Sequence, residues 1–357
     1  MSDTNQFRID SHKLHLHPER VARWLAGEDI APIYLEISSS GACNHRCRFC
    51  SLDFMGYQKR FLDTGILKAK LGGLARIGVK SIMYAGDGEP LMHEDMPELT
   101  VATKEAGIDV AFTTNGVFLT PERAGVMLPH TSWIKISFNA GRPETYAKVH
   151  GARPDDYRQV LDNAAAAARL REKTGGGCTL GFQMVLLPEN RDEAVHLAET
   201  VRDLGADYLV IKPHSTHRKS GKTAYKDLTY GDNQKLAEEL AALDTPSFKT
   251  IFRHEAMQRR DAGRARYERC LALPFWAYVD GGGEVWTCSR HMGEDEFRCG
   301  NLMADPVEEI FGRTRREKMA GCATGLDIGD CHVDCRMDPI NAYLWELTHP
   351  GPHVNFI

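Results

Sequence analysis

Short β-type runs alternate regularly with longer helix-type runs over the first two thirds of this 357-residue chain, and this alternation limits the choice of fold. Runs rich in β-branched and aromatic residues predict six strands, at 33–37, 81–84, 110–113, 133–138, 179–187 and 208–212. Helical apolar spacing predicts helices at 64–77, 96–106, 121–127, 155–172, 191–204 and 233–243. Such βα repetition is typical of a parallel sheet, so we expect an α/β fold with a partial (βα)6 TIM-like barrel.

The pattern changes after position 244. A charged stretch at 250–269 predicts a solvent-exposed helix, and aromatic-rich runs on both sides of the Gly-Gly-Gly turn at 281–283 predict a β-hairpin. A short helix is expected at 305–319. We therefore expect four parts: an N-terminal extension (1–30), the partial barrel (31–245), a linking helix (246–269) and a small C-terminal α+β domain (270–357).

Composition narrows the classes of partner. Lys plus Arg number 44 against 49 Asp plus Glu, a net charge of -5, so there is no overall basic excess and we expect no nucleic-acid partner. The first twenty residues are polar, and no apolar run approaches the roughly 18 residues that span a bilayer. We expect a cytoplasmic protein without a membrane partner, whose grouped cysteines are metal ligands or catalytic thiols rather than disulfides.

The ten cysteines are strongly grouped. Cys43, Cys47 and Cys50 share one short loop, six more lie between 270 and 335, and Cys178 stands apart near the start of a predicted strand, where packing is expected. Four thiolates saturate a zinc ion or an iron–sulfur cluster, whereas three leave one metal position open for catalysis. A zinc site with His45 as the fourth ligand is an alternative, although His45 lies between two of the cysteines, where reaching the same ion is strained.

The segment Cys43-Asn44-His45-Arg46-Cys47-Arg48-Phe49-Cys50 resembles the signature of the radical S-adenosylmethionine (radical SAM) superfamily. The resemblance implies that Cys43, Cys47 and Cys50 hold a [4Fe–4S] cluster whose open iron binds S-adenosylmethionine. Reductive cleavage then gives a 5′-deoxyadenosyl radical that abstracts hydrogen from a substrate. The cofactors supply the chemistry, and the protein supplies orientation and protection.

Other positions extend the resemblance. Gly86-Asp87-Gly88-Glu89-Pro90 is similar to the family's GGEP motif, which implies contact between Glu89 and the methionine amino group. From the residues alone, 86–90 also fits a turn, Ser137 and Asn139 fit a polar strand end, and Gln183 fits either face of its strand. The residues expected at the cofactor are Phe49, Gly86, Gly88, Glu89, Asn115, Ser137, Asn139 and Gln183.

The later cysteines resemble the SPASM/twitch extensions of radical SAM enzymes, which hold auxiliary [4Fe–4S] clusters. The resemblance implies one such cluster on Cys270, Cys288, Cys331 and Cys335. The spacing departs from the full seven-cysteine SPASM pattern, so Cys322 could replace Cys331 or Cys335, or join Cys299 in a second auxiliary cluster. A zinc site on the same four cysteines is the other alternative, since sulfur ligands suit both metals.

An auxiliary cluster that accepts an electron favours a net oxidation. We expect an oxidoreductase acting on a sugar, cyclitol or other small polar metabolite, because only about thirty residues precede the first strand and leave no peptide-recognition domain. A peptide-modifying maturase or epimerase and a non-catalytic iron–sulfur or zinc protein are the alternatives. His214 and Lys212 are candidate bases, and an external electron donor such as flavodoxin or ferredoxin is expected.

Overall fold

The computed structural model describes residues 7, 9, 11–263, 267–319, 326, 328–331 and 335–356. Its described strands form one sheet with the order β10-β9-β8-β1-β2-β3-β4-β5-β6-β7. The strands are β1 (Tyr34–Ile37), β2 (Ser81–Tyr84), β3 (Asp109–Thr114), β4 (Trp133–Ser137), β5 (Thr179–Val185), β6 (Tyr208–Lys212), β7 (Lys249–Phe252), β8 (Trp276–Val279), β9 (Glu284–Trp286) and β10 (Arg298–Asn301). All six predicted strands are present.

The sheet is largely parallel. Every neighbouring pair from β1 to β7 is parallel, β8 pairs parallel with β1, and β8, β9 and β10 are joined antiparallel. Within the described residues, the edge strands β7 and β10 are not paired with each other. The sheet is therefore an open, partial barrel, as the βα pattern predicts.

Helices connect the parallel strands. Within the described chain none is long and apolar enough to cross a membrane. The helices are α1 (Pro18–Leu25), α2 (Thr64–Ile77), α3 (Met96–Glu105), α4 (Pro121–Met127), α5 (Pro143–His150), α6 (Pro154–Thr174), α7 (Ala194–Asp203), α8 (Gln234–Ala241), α9 (His254–Ala262) and a last helix, Asp338–Thr348. The sequence analysis missed α1, α5 and the last helix. Residues 307–319 are helical near the predicted 305–319, with a break at Gly312.

The two-residue period of the strands separates the core from the site. On β4, Ile134 and Ile136 are fully buried in the main core, while Lys135 and Ser137 line a cavity on the other face. Glu36 on β1 also lines that cavity, between buried neighbours of the same strand. Side chains two residues apart share a face of a strand, so one face of the sheet packs on helices and the other carries polar groups.

The structure differs from the predicted boundaries at two places. Lys249–Phe252 is a seventh parallel strand, β7, whereas a linking helix was expected over 246–269. Among the described residues of that range, the helical part is α9. The β-forming run Thr250-Ile251-Phe252 is short and is flanked by charged residues, so the sequence pattern did not predict a strand there. The predicted C-terminal hairpin is present as β8 and β9, but Tyr34 pairs with Trp276, so the hairpin continues the barrel sheet.

Candidate functional site

The loop after β1 carries the first three cysteines, and all three are half-buried. Arg46 folds back so that its guanidinium donates to the Cys43 carbonyl at 2.6 Å. Burial raises the pKa of Cys43 to about 12 and also raises the pKa values of Cys47 and Cys50. A metal centre that binds these sulfurs would stabilise their thiolate forms, so three such thiols in one loop fit a bound metal cluster.

Helix α5 ends against this loop. The Arg46 amide donates to the carbonyl of His150, at 3.0 Å, in the last turn of α5, where carbonyls have no partner within the helix. Gly151 ends the helix with φ +55°, and a Cβ there would lie 2.5 Å from the Arg46 carbonyl oxygen. His150 is therefore held beside the cysteine loop, with Nδ1 3.6 Å from the Cys47 sulfur.

A cavity of about 240 Å³ opens beside the cysteine loop. Cys43 and Cys47 form part of its wall, together with side chains from β1 to β6. Ser137 and Gln183 are register partners on β4 and β5, as expected where the carboxyl ends of parallel strands meet. Six of the eight residues predicted at the cofactor line this wall: Gly86, Gly88, Glu89, Asn115, Ser137 and Gln183.

The carboxyl group of Glu89 is buried and accepts three hydrogen bonds. The amides of Leu91 and Asn115 donate to it at 3.0 and 2.7 Å, and the Thr114 hydroxyl also donates. A carboxylate has about four acceptor positions, so one is left for an incoming donor such as an amino group. Burial raises the pKa of Glu89 to about 7, although the three donors act in the opposite direction.

Gly88 lies where the loop after β2 meets the cysteine loop. A Cβ at this position would lie 2.1 Å from the Ser40 carbonyl oxygen and 2.5 Å from that of Ala42, so the backbone would have to move. We expect Gly88→Ala to lower stability by about 2–3 kcal/mol and to lower the iron content after reconstitution. Gly125→Ala is the matched control, since nothing lies near its Cβ. Equal melting temperatures and iron contents in the two variants would contradict this packing.

The raised pKa of Glu89 predicts a pH dependence of stability in the protein without cofactors. Between pH 4.5 and about 7 the folded chain retains a proton that the unfolded chain releases. The contribution of Glu89 to the free energy of unfolding therefore falls as the pH rises through this window. In the wild type we expect the free energy of unfolding to decrease by on the order of 3 kcal/mol between pH 4.5 and about 7 because of Glu89. Glu89→Gln should lack this decrease, and urea unfolding at several pH values measures it in both proteins. Parallel pH profiles for the two proteins would show that Glu89 is not a buried acid.

Three predicted site residues lie outside the cavity wall. The Asn139 side-chain oxygen accepts from the Val185 amide at 2.6 Å, and its backbone amide donates to His150 Nε2 at 3.0 Å, because the chain turns away after β4. Phe49 packs edge-on against the His150 ring, with centroids 5.5 Å apart. His214 is buried, and burial lowers its pKa to about 4. Their side chains have structural partners instead.

Four charged side chains besides Glu89 also line the cavity: Glu36, Lys135, Lys212 and Arg336. Arg336 forms an ion pair with Glu36. Burial lowers the pKa of Lys135 to about 7, and the nearby Arg336 and Lys212 lower it further. The sequence analysis identified Lys212 and missed Lys135, which the strand period places on the same face as Ser137.

Three of the four cysteines predicted to hold a second cluster share one apolar cluster, and the fourth, Cys331, acts electrostatically on one of them. Cys270, Cys288 and Cys335 belong to one apolar cluster that includes residues of β8 and β9. Burial raises the pKa of Cys288, and nearby Cys335, Cys270 and Cys331 raise it further. The fold therefore brings Cys270 and Cys288 close to Cys335, which lies in a segment distant from them in sequence.

The remaining cysteines do not join this group in the described part of the chain. Cys299 lies on β10 and is buried in the main core, apart from the apolar cluster around Cys288. Cys178 is also buried in the main core, next to the start of β5. Cys322 lies outside the described residues, so its predicted alternative role stays a prediction.

One compact group of potential metal ligands occurs among the described residues. It comprises His45, Cys47 and His150, whose ligand atoms all lie within 4.8 Å of one another. His45 therefore lies beside Cys47, and a zinc site that includes His45 stays the alternative to an iron–sulfur cluster at this loop.

Comparison with known protein sequences identifies the family. Residues 37–241 match the sequence model of the Radical SAM superfamily. The GTP 3′,8-cyclase of Chlorobaculum tepidum is 30% identical over 192 residues, which are 52% of this chain and 55% of the cyclase. The chain thus spans about half the length of this relative. The mycofactocin maturase MftC of Mycolicibacterium smegmatis is 26% identical over 331 residues, which are 89% of this chain and 81% of the maturase.

Solved structures share the fold. Streptococcus suis SuiB bound to its precursor peptide SuiA has a TM-score of 0.63 and 17% identity, over 84% of this chain and 69% of SuiB. The enzyme anSMEcpe with bound AdoMet has a TM-score of 0.56 and 14% identity, over 87% of this chain and 88% of that one. These matches confirm the predicted α/β architecture with a mainly parallel, partial barrel.

Proposed function

The chain belongs to the radical SAM superfamily of enzymes, and from this premise we propose that Cys43, Cys47 and Cys50 hold its [4Fe–4S] cluster. The cavity beside them would bind S-adenosylmethionine. The observation that carries the proposal is that two of these cysteines and the Glu89 carboxyl share one cavity wall at the strand ends. When bound, these cofactors supply a 5′-deoxyadenosyl radical that removes hydrogen from a substrate.

The residues of the wall have separate tasks in this proposal. Glu89, with one acceptor position left, binds the amino group of S-adenosylmethionine. Gly88 lets the loop after β2 pack directly on the cysteine loop, which a larger residue would prevent. Ser137 and Gln183 offer hydrogen bonds from neighbouring strands. The surrounding buried side chains exclude water from the reactive species.

We extend the proposal to an auxiliary [4Fe–4S] cluster on Cys270, Cys288, Cys331 and Cys335, in a SPASM/twitch-like region over 270–357. Its support is the common apolar cluster around Cys288, which also includes Leu52 and Phe54, from just after the first cysteine loop. Residues that directly follow the first cysteine loop thus pack against the apolar cluster that contains Cys288. A second cluster at this place would accept an electron from the substrate radical, which keeps a net oxidation within the proposal.

For the substrate we propose a peptide. The match to the mycofactocin maturase covers 89% of this chain, so it includes Cys270 and Cys288. The match to the cyclase covers 52% of this chain. A peptide-modifying maturase is the alternative that the sequence resemblance already offered. The expected sugar or cyclitol substrate gains no support from these relatives.

The substrate class can be tested by deuterium transfer. The reconstituted protein would be incubated without oxygen with S-adenosylmethionine, reduced flavodoxin or ferredoxin, and either a deuterated peptide pool or a deuterated pool of sugars and cyclitols. Only a true substrate donates hydrogen, so we expect deuterium in 5′-deoxyadenosine from the peptide pool. Deuterium from the sugar and cyclitol pool alone would overturn the peptide proposal and restore the metabolite expectation.

A further inference from the structure

His150 has a fixed hydrogen-bonding direction. Its Nε2 atom accepts from the Asn139 backbone amide at 3.0 Å, and a backbone amide can only donate. A neutral imidazole that accepts at Nε2 carries its proton at Nδ1. That Nδ1 atom lies 3.6 Å from the Cys47 sulfur, so the N–H group points its hydrogen bond at this sulfur.

The surroundings hold the imidazole in this orientation. The side chain is 1% exposed, and the Tyr146 ring stacks on it with centroids 4.2 Å apart. The backbone is fixed as well, because the Arg48 amide donates to the Val149 carbonyl at 2.9 Å, next to the contact between Arg46 and His150. The ring therefore keeps its place relative to the cysteine loop without help from solvent.

We propose that His150 is a positioning residue that donates its Nδ1–H to the Cys47 sulfur and thereby raises the reduction potential of the cluster held there. The inference rests on the proposed assignment of Cys43, Cys47 and Cys50 as cluster ligands. Reduction adds negative charge, which spreads over the thiolate sulfurs, and a hydrogen bond to a ligand sulfur stabilises the reduced form. The residue acts through Cys47 and needs no contact with substrate.

The test compares His150→Phe with Tyr146→Phe in the full-length, reconstituted protein. The first change removes the N–H donor and keeps an aromatic ring, whereas the second removes a buried hydroxyl that has no hydrogen-bond partner among the described residues. The readout is the midpoint potential of the cluster whose EPR signal changes when S-adenosylmethionine is added. We expect a lower potential in His150→Phe and the wild-type value in Tyr146→Phe. A wild-type potential in His150→Phe would overturn the inference.

A measurement on the wild-type protein covers the case in which His150→Phe fails to assemble its clusters. Protein labelled with 15N at histidine Nδ1 should show a 15N coupling to the reduced cluster by pulsed EPR, and the coupling should remain in His45→Asn. Its absence in the wild type would overturn the role of His150. If no cluster responds to S-adenosylmethionine, the proposed function itself fails; a responsive cluster without the coupling rejects this inference alone.

Discussion

A variant in which Cys43, Cys47 and Cys50 are all replaced by alanine should form no 5′-deoxyadenosine and should lose about half of its iron. In the proposed assignment this loop leaves one metal position open for cleavage, whereas the second cysteine group supplies four ligands. Two [4Fe–4S] clusters correspond to about eight irons per chain, so we expect about four to remain. Product analysis by chromatography and iron determination on the same sample measure both effects.

Cys178→Ala is the matched control for this prediction. Cys178 is buried in the main core and does not line the cavity. The change costs some packing, so assays should be run well below the melting temperature, where we expect iron content and cleavage to equal those of the wild type. Cleavage that survives in the triple variant would contradict the assignment of the first three cysteines.

Replacing Cys288 by alanine should leave the cleavage of S-adenosylmethionine intact and abolish the proposed modification of the peptide. We expect continued cleavage of S-adenosylmethionine, loss of about four irons and no modified peptide, because the radical would form without an electron acceptor nearby. Cys288 is the most informative position, since it is buried and lies in the apolar cluster that also contacts Cys270 and Cys335. Iron content, 5′-deoxyadenosine and the mass of the peptide are measured together.

Cys299→Ala is the control here, because Cys299 is also buried but lies on β10 in the main core. We expect it to keep all of its iron and to form the product. If Cys299→Ala loses iron and Cys288→Ala does not, the ligand set of the auxiliary cluster is wrong.

Much of the fold was predictable because parallel strands are buried on at least one face. Runs such as Tyr208–Lys212 are continuously apolar over most of their length and stand out between helical segments. Lys249–Phe252 is shorter, and the cationic residues Lys249 and Arg253 at its two ends are typical of a surface helix. The seventh strand was therefore missed. The pairing of β8 with β1 joins segments more than 240 positions apart, and no local pattern indicates such a partner.

The candidate site was predictable where residues follow strand ends. Glu89, Ser137 and Gln183 were expected from that rule, and the structure places all three on one cavity wall. The rule failed to identify His150, which reaches the cysteine loop from the end of α5, a helix that the periodicity did not reveal. Asn139 was also expected at the cofactor; in the structure its polar groups bond to Val185 on β5 and to His150.

The decisive measurement is the yield of 5′-deoxyadenosine and methionine from S-adenosylmethionine, with the wild-type protein reconstituted and reduced by dithionite in the absence of oxygen. We predict that both products form in equal amounts and that neither forms when dithionite is omitted. A protein that carries its full iron and still yields no 5′-deoxyadenosine would contradict the assignment of a catalytic cluster beside Glu89.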